Sequence, residues 1–201
     1  MGGDSPAATD QLPMRIEDLQ IDGLLLIHPD RIGDQRGWFC ETWSRPRLEQ
    51  IGFTQDFVQD NLSYSAEPGT LRGLHCQRAP FDQGKLVGVI TGAIRDVAVD
   101  VREGSTTYGR HFSIDISEDD PVLIYVPSGF LHGFVTRAPR TRVAYKTTQA
   151  YSADHDRSIA WNDPDLAIDW GTQSPILSKK DAAAPTLRDA GPLFPSPSLR
   201  S

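Results

Sequence analysis

The feature that most constrains this chain is how it is cut up. Between residues 24 and 147, short runs of apolar or alternating residues are separated by Gly, Pro, Asn, Asp and Ser, and no run carries a long 3.6-residue period. The runs fall at residues 24–28, 37–43, 85–90, 93–101, 111–116, 122–126, 130–136 and 142–147. Many short strands spaced roughly 8–12 residues apart point to a β-sandwich or barrel. The pair Thr91-Gly92 between two of the runs reads as a hairpin turn. In the run 93–101, Arg95 interrupts an apolar series, and Asp96 and Asp100 fall on one face, as a half-buried strand allows. Helical signal is confined to residues 45–51 and 177–189. The expectation is an all-β jelly-roll β-sandwich with short helices at the ends.

Length sets the domain count. The 201 residues suffice for one well-buried core. Residues 1–13 and 189–201 are small, polar and Pro-containing, and read as a flexible N-terminal extension and a flexible C-terminal tail around a single domain at 14–188. With 20 basic and 27 acidic residues the net charge is −7, which argues against a nucleic-acid partner bound through a basic surface. A small anionic ligand remains compatible, because a local Arg/Lys cluster can reverse the field in one cleft. Cys40 and Cys76 form neither a disulfide framework nor a CxxC motif. No apolar run approaches the roughly 20 residues that span a bilayer, and residues 1–6 lack a basic n-region. The expected location is cytoplasmic, with no membrane partner.

One segment speaks of chemistry. In Leu71-Arg72-Gly73-Leu74-His75-Cys76-Gln77, with Lys85 ten residues beyond His75, an imidazole able to accept a proton stands among cations able to hold an anion. Residues 73, 75 and 77 share a strand face, so Gln77 points with His75, while Arg72 points away unless the strand bends at Gly73. Tyr145 reads either as a core tyrosine with a bonded hydroxyl or as a proton donor. His132, between Gly129 and Gly133, either ends a hairpin or faces a cavity mouth. Asp181 completes a capping-box pattern with Ser178, or else orients a histidine. Asp34-Gln35-Arg36-Gly37 is either a plain turn or a loop that sets Arg36 on a phosphate, and Trp161-Asn162-Asp163-Pro164 is a turn or helix entry. The histidines are His28, His75, His111, His132 and His155, without an HxH pair, so no metal site is expected.

Taken in order, these pieces resemble the dTDP-4-dehydrorhamnose 3,5-epimerase family, which has a cupin-like jelly roll. The matching stretches are Asp34-Gln35-Arg36-Gly37-x-Phe39-x-Glu41, Gln59-Asp60-Asn61-x-Ser63, Leu71-Arg72-Gly73-Leu74-His75-x-Gln77 and Gln83-Gly84-Lys85-Leu86-Val87. They continue with Asp96-Val97-x-Val99-Asp100-x-Arg102-x-x-Ser105, Pro127-x-Gly129-Phe130-x-His132-Gly133-Phe134, Tyr145-Lys146, Trp161-Asn162-Asp163-Pro164 and Leu177-Ser178-x-Lys180-Asp181. The resemblance implies an isomerase acting on a dTDP-linked 4-keto-6-deoxyhexose at C3 and C5 through an enolate, with no cofactor. It implies His75 as base, Asp181 as its orienting partner, Tyr145 as opposing acid and Lys85 as enolate stabiliser. It further implies Arg36 and Arg72 as phosphate- or substrate-binding arginines. Glu41, Gln59, Asp60 and Asn61 are then nucleotide- and sugar-contacting positions, Phe39 and Tyr151 stack on thymine, and His132 and Lys180 are further contacts.

Three positions depart from the family pattern. Asp156 stands where the family usually has Glu, Cys76 where it usually has an aromatic, and Leu131 where a small residue is common. Family members are homodimers that exchange an N-terminal strand, and residues 24–27 are the candidate for that strand. Three alternatives differ in chemistry: a mono-epimerase inverting only C3 or C5 in a modified-sugar pathway, a metal-dependent cupin enzyme, and a non-catalytic nucleotide-sugar binder.

Overall fold

A computed structural model describes residues 14–195, and the expected extension at 1–13 lies outside the described residues. Two antiparallel sheets face each other. The first has six strands in the spatial order β1 (Met14–Asp18), β2 (Leu25–Pro29), β10 (Leu123–Val126), β7 (Lys85–Thr91), β12 (Thr141–Thr147) and β5 (Gln59–Ser65). The second has five: β13 (Asp156–Ser158), β6 (Leu71–Gln77), β11 (Phe130–Thr136), β8 (Ala93–Asp100) and β9 (His111–Ser117). A separate two-stranded hairpin, β3 (Arg31–Asp34) with β4 (Gly37–Cys40), follows β2 in the chain. The helices are short: α1 (Arg45–Gln50), α2 (Lys179–Ala182) and α3 (Leu187–Ala190). The jelly-roll sandwich is therefore as the strand spacing led one to expect.

Alternation along the strands sorts side chains into layers. Leu26, Val87, Ile124 and Val143 from one sheet meet Ile94, Ala98, Phe130 and Phe134 from the other in the core between them. The opposite faces are also covered. Leu48 of α1 and Phe53 pack on Ile27, Leu86, Leu123 and Tyr125 outside the first sheet, with the Phe53 and Tyr125 rings edge-to-face at 4.9 Å. Ile159, Leu166, Trp170 and Leu193 of the C-terminal segment lie over Leu74, Val97, Val99, Leu131 and Val135 outside the second. Burial on both faces explains why the runs at 93–101 and 130–136 are nearly continuous in apolar residues instead of alternating.

Several expectations need correction. Thr91-Gly92 is not a hairpin turn: β7 and β8 lie in different sheets, so the pair is a corner between layers, with Gly92 at φ +84° pressed against Thr141. The run at 24–27 is not free for exchange, because β2 is paired on both sides, with β1 and β10, and Leu24 and Ile27 are core. The run at 37–43 is a strand only to Cys40. The helical piece at 177–189 is two one-turn helices with Pro185 between them, each capped by its own hydroxyl, Ser178 and Thr186. Finally, the packed domain runs past 188: Leu193 is buried, and the Glu103 amide donates to the Phe194 carbonyl.

Candidate active site

The polar residues collect between the sheets at one end of the sandwich, where two adjoining cavities of 310 and 290 Å³ share His75, Lys85, Tyr145 and Lys180. Their walls follow from strand parity. Val143 and Tyr145 of β12 point inward together, as do Lys85 and Val87 of β7, so the tyrosine and lysine enter the cavity just beyond the last core residues. On β5 the same parity brings in Gln59, Asn61 and Ser63.

The facing wall depends on a bulge. His132 pairs with His75 and Phe134 with Arg72, so two steps on β11 span three on β6. The extra residue resets the alternation. Leu71, Leu74 and Cys76 all join the outer apolar layer, while Arg72 and His75 both face the cavity. Gly73, at φ +136°, makes this possible: a Cβ there would sit 2.5 Å from the Gly133 Cα. The bend that would turn Arg72 toward His75 is thus present. The Arg72 guanidinium donates to the Ser65 hydroxyl at 3.2 Å and the Tyr64 carbonyl at 2.9 Å, bridging the two sheets.

His75 Nε2 lies 2.6 Å from Asp181 Oδ1, with the carboxylate 4% exposed and the imidazole 29%. The Asp181 amide donates to Ser178 Oγ at 3.0 Å, so Ser178 caps α2 through that amide and the Asp181 side chain is left for the histidine. Both readings of the Ser-x-x-Asp pattern hold at once. Burial raises the Asp181 pKa, but the bonds from His75 and Ser178 and the charge of Lys180 outweigh it, and the net shift is downward. With Nε2–H donated to the carboxylate, Nδ1 is left with its lone pair.

Tyr145 stands on the opposite sheet, its pKa raised by burial against a smaller lowering by Arg72, which keeps the phenol protonated. Burial lowers the pKa of Lys85, with Cys76, Asp156 and Asp96 acting the other way. His132 also lines the cavity, and its Nε2 lies 2.9 Å from Oδ2 of the wholly buried Asp96. The strand alternation places Asp96 and Asp100 on one face without giving Asp96 a role; a carboxylate within an apolar run is the signal that a partner has to exist.

At the mouth, Lys180 on α2 pairs with Asp156 of β13, and the Tyr151 hydroxyl donates to the same carboxylate at 3.3 Å. All three line the cavity. Four expected contacts lie away from the cavity. Asp60 points to the outer face of the first sheet, bonded to Lys146 at 2.7 Å, because its neighbours Gln59 and Asn61 take the inward positions. Arg36 is 89% exposed at the hairpin tip and paired with Asp34, Phe39 is exposed on the same hairpin, and Glu41 pairs with Arg47. Cys76 packs in the outer layer, its thiol pushed up to about 11 by burial, with only an edge on the cavity. Leu131 is wholly buried in that outer layer too.

Among the described residues no three His, Cys, Asp or Glu side chains converge as metal ligands, and no helix is long and apolar enough to cross a membrane.

Residues 18–189 match the family model described as dTDP-4-dehydrorhamnose 3,5-epimerase. A dTDP-4-dehydrorhamnose 3,5-epimerase of Sinorhizobium fredii is 44% identical over 192 residues, 93% of this chain and 94% of the relative. The crystal structure of a dTDP-4-dehydrorhamnose 3,5-epimerase from Bacillus anthracis with TDP and PPi bound superposes with a TM-score of 0.85 at 47% identity, covering 87% of this chain and 100% of that one. A dTDP-6-deoxy-D-glucose-3,5-epimerase of Legionella pneumophila in complex with dTDP-4-keto-L-rhamnose gives a TM-score of 0.85 at 42% identity, over 92% of this chain and 99% of the other.

Proposed function

The chain belongs to the dTDP-4-dehydrorhamnose 3,5-epimerase family, and from that premise we propose that His75 and Tyr145 exchange protons with opposite faces of a dTDP-linked 4-keto-6-deoxyhexose. The enzyme is an isomerase that converts dTDP-4-dehydro-6-deoxyglucose to dTDP-4-dehydrorhamnose. The observation that carries the assignment of roles is the placement of an oriented imidazole and a protonated phenol on facing sheets, with a lysine in the same cavity.

The C4 ketone acidifies the protons on C3 and C5. His75 Nδ1 takes such a proton, and the C–H pair moves into the carbonyl to form an enolate. The resulting imidazolium is stabilised by Asp181 through Nε2–H. The Lys85 ammonium faces the developing oxyanion, where one preorganised donor contributes about 3–4 kcal/mol. Lys85 is half-buried and lines both cavities, and desolvation lowers its pKa, which leaves it able to share a proton with the enolate. The Tyr145 hydroxyl then delivers a proton to the carbon from the other face, and the carbonyl re-forms with inverted configuration. The phenolate and the imidazolium return to their starting states by exchange with water.

Arg72, Lys180 and His132 contribute polar contacts to the sugar and diphosphate, and Tyr151 offers its ring to thymine. The partner is completed by a second copy of the chain. Ile32, Trp38 and Phe39 are exposed on the β3–β4 hairpin, and Leu62 and Ile90 are exposed beside an apolar groove on the outer face of the first sheet. A homodimer covers these surfaces and lets Arg36, Phe39 and Glu41 reach the other subunit's cavity. Light scattering on the purified protein distinguishes dimer from monomer. Arg36→Ala raises KM without changing the dimer if the arginine serves the neighbouring site.

Incubation with dTDP-4-keto-6-deoxyglucose in deuterated water, read by NMR, tests the reaction. Deuterium enters both C3 and C5. Incorporation at a single carbon would instead assign a mono-epimerase, and incorporation at neither would sink the reading.

A further inference from the structure

We propose that Gln77, Gln83 and Gln59 form a clamp on the backbone of residues 149–152, and that Gln77 is thereby a positioning residue for Tyr151. The segment leaves β12 in one sheet and reaches β13 in the other, crossing the cavity mouth between them. Three side-chain amides from both sides of the cavity hold it. Gln77 Oε1 accepts from the Ser152 amide at 2.7 Å, and its Nε2 donates to the Ala150 carbonyl at 3.2 Å and the Phe81 carbonyl at 2.6 Å. Gln83 Nε2 donates to the Gln149 carbonyl at 2.6 Å. Gln59 Oε1 accepts from the Tyr151 amide at 3.0 Å, while its Nε2 donates to Asn61. Each of four successive residues therefore gives one backbone group to a glutamine.

Two facts make this a positioning device. Gln77 is 4% exposed and both of its N–H donors and its carbonyl are engaged by protein backbone, so it has no donor to offer a ligand. The Tyr151 ring, in contrast, is 59% exposed and has little packing to fix it, so its place is set by the backbone beneath it and by its bond to Asp156. The pattern of the strand serves this purpose: His75 and Gln77 share a face, so the residue two beyond the base ties down the segment that meets the nucleotide. The inference rests on the reading above that Tyr151 meets the thymine end of the substrate.

Gln77→Met keeps the shape and removes the three bonds. In the ligand-free protein, amide hydrogen exchange at Ser152 is expected to rise about tenfold or more. The Kd for dTDP and the KM for the nucleotide sugar are expected to rise about tenfold, equivalent to about 1.4 kcal/mol, with kcat at saturation within about twofold of wild type. Unchanged exchange at Ser152, an unchanged Kd, or a fall in kcat at constant KM would each overturn the clamp. If wild-type protein itself does not bind dTDP, the substrate reading fails on its own account, and the clamp stands or falls on the exchange measurement. Should Gln77→Met not fold, Gln83→Met applies the same test from a loop, with an expected threefold rise in Kd; wild-type affinity there overturns the proposal.

Discussion

The cavity contains two histidine–carboxylate pairs, and they are built differently. His75 and His132 are directly opposite each other on adjacent strands and face the same cavity. His75 takes its carboxylate from α2, far along the chain, and keeps part of its ring open. His132 takes Asp96 from the neighbouring strand β8, and the pair is enclosed, with the histidine side chain 9% exposed and Asp96 Oδ1 without a partner. Chemically the pairs are alike, but their access to substrate and solvent is not. A proton can arrive at and leave the open imidazole. The closed one is better suited to hold shape and polarity around the sugar, because a buried charge without compensation is costly.

The largest effect expected from this contrast is on turnover. His75→Ala lowers kcat by about 10³-fold, in the range of a lost general base, whereas His132→Gln lowers it about tenfold; solvent-deuterium incorporation measures both. If the two variants exchanged places in that ranking, the assignment of the base would have to move to His132. Next comes Lys85→Met, which shares the cavity with both pairs. Its loss of an oxyanion donor lowers kcat by about 10²-fold or more, with KM nearly constant, and a KM effect alone would make the lysine a binding residue only.

Stability should rank the pairs the other way. Asp96→Asn removes the partner of an enclosed histidine and is expected to destabilise the fold by about 2 kcal/mol, while Asp181→Asn loses less stability and more activity. Chemical denaturation alongside steady-state rates compares the two directly; equal stability losses would mean that exposure does not separate the roles. The smallest effect is in acid. The Asp181 carboxyl is held below its ordinary value of 3.8 in the folded protein. Its contribution is therefore complete above that value and disappears as pH falls through the lower folded-state pKa. The stability difference between wild type and Asp181→Asn should shrink over that window, and a difference that stayed constant would show that the carboxylate's ionisation is not what matters.

These features were unequally visible in the amino-acid sequence. His75 stood out because Arg72, Gln77 and Lys85 surround it in one segment, and the turn-forming potential of Gly73 was visible as well. Asp181 was ambiguous, since local spacing cannot reveal a bond to a residue 106 positions away. Only the ordered family motifs pointed to it. The corner at Thr91-Gly92 carries the same turn chemistry as a hairpin, and nothing local says whether the following strand returns to the same sheet or enters the other. The C-terminal residues 189–195 read as a tail because they are small, polar and Pro-containing, yet Leu193 is enough to seat them on the second sheet. The motif residues Arg36, Phe39 and Glu41 were legible as a set, but their separation from the cavity is a matter of tertiary arrangement.

The bulge in β6 has a consequence for anyone who would transplant this site. A strand is a two-beat code, and the added residue at Gly73 shifts the beat between Arg72 and His75. Straightening the strand with every residue kept would restore a regular ladder while rotating Arg72 into the oily layer under Trp170 and Leu71 into the cavity. A graft that copied the side chains onto an ideal strand would thus deliver a base without its arginine. The portable unit is the irregular backbone, Gly73 against Gly133, and the chemistry travels with it.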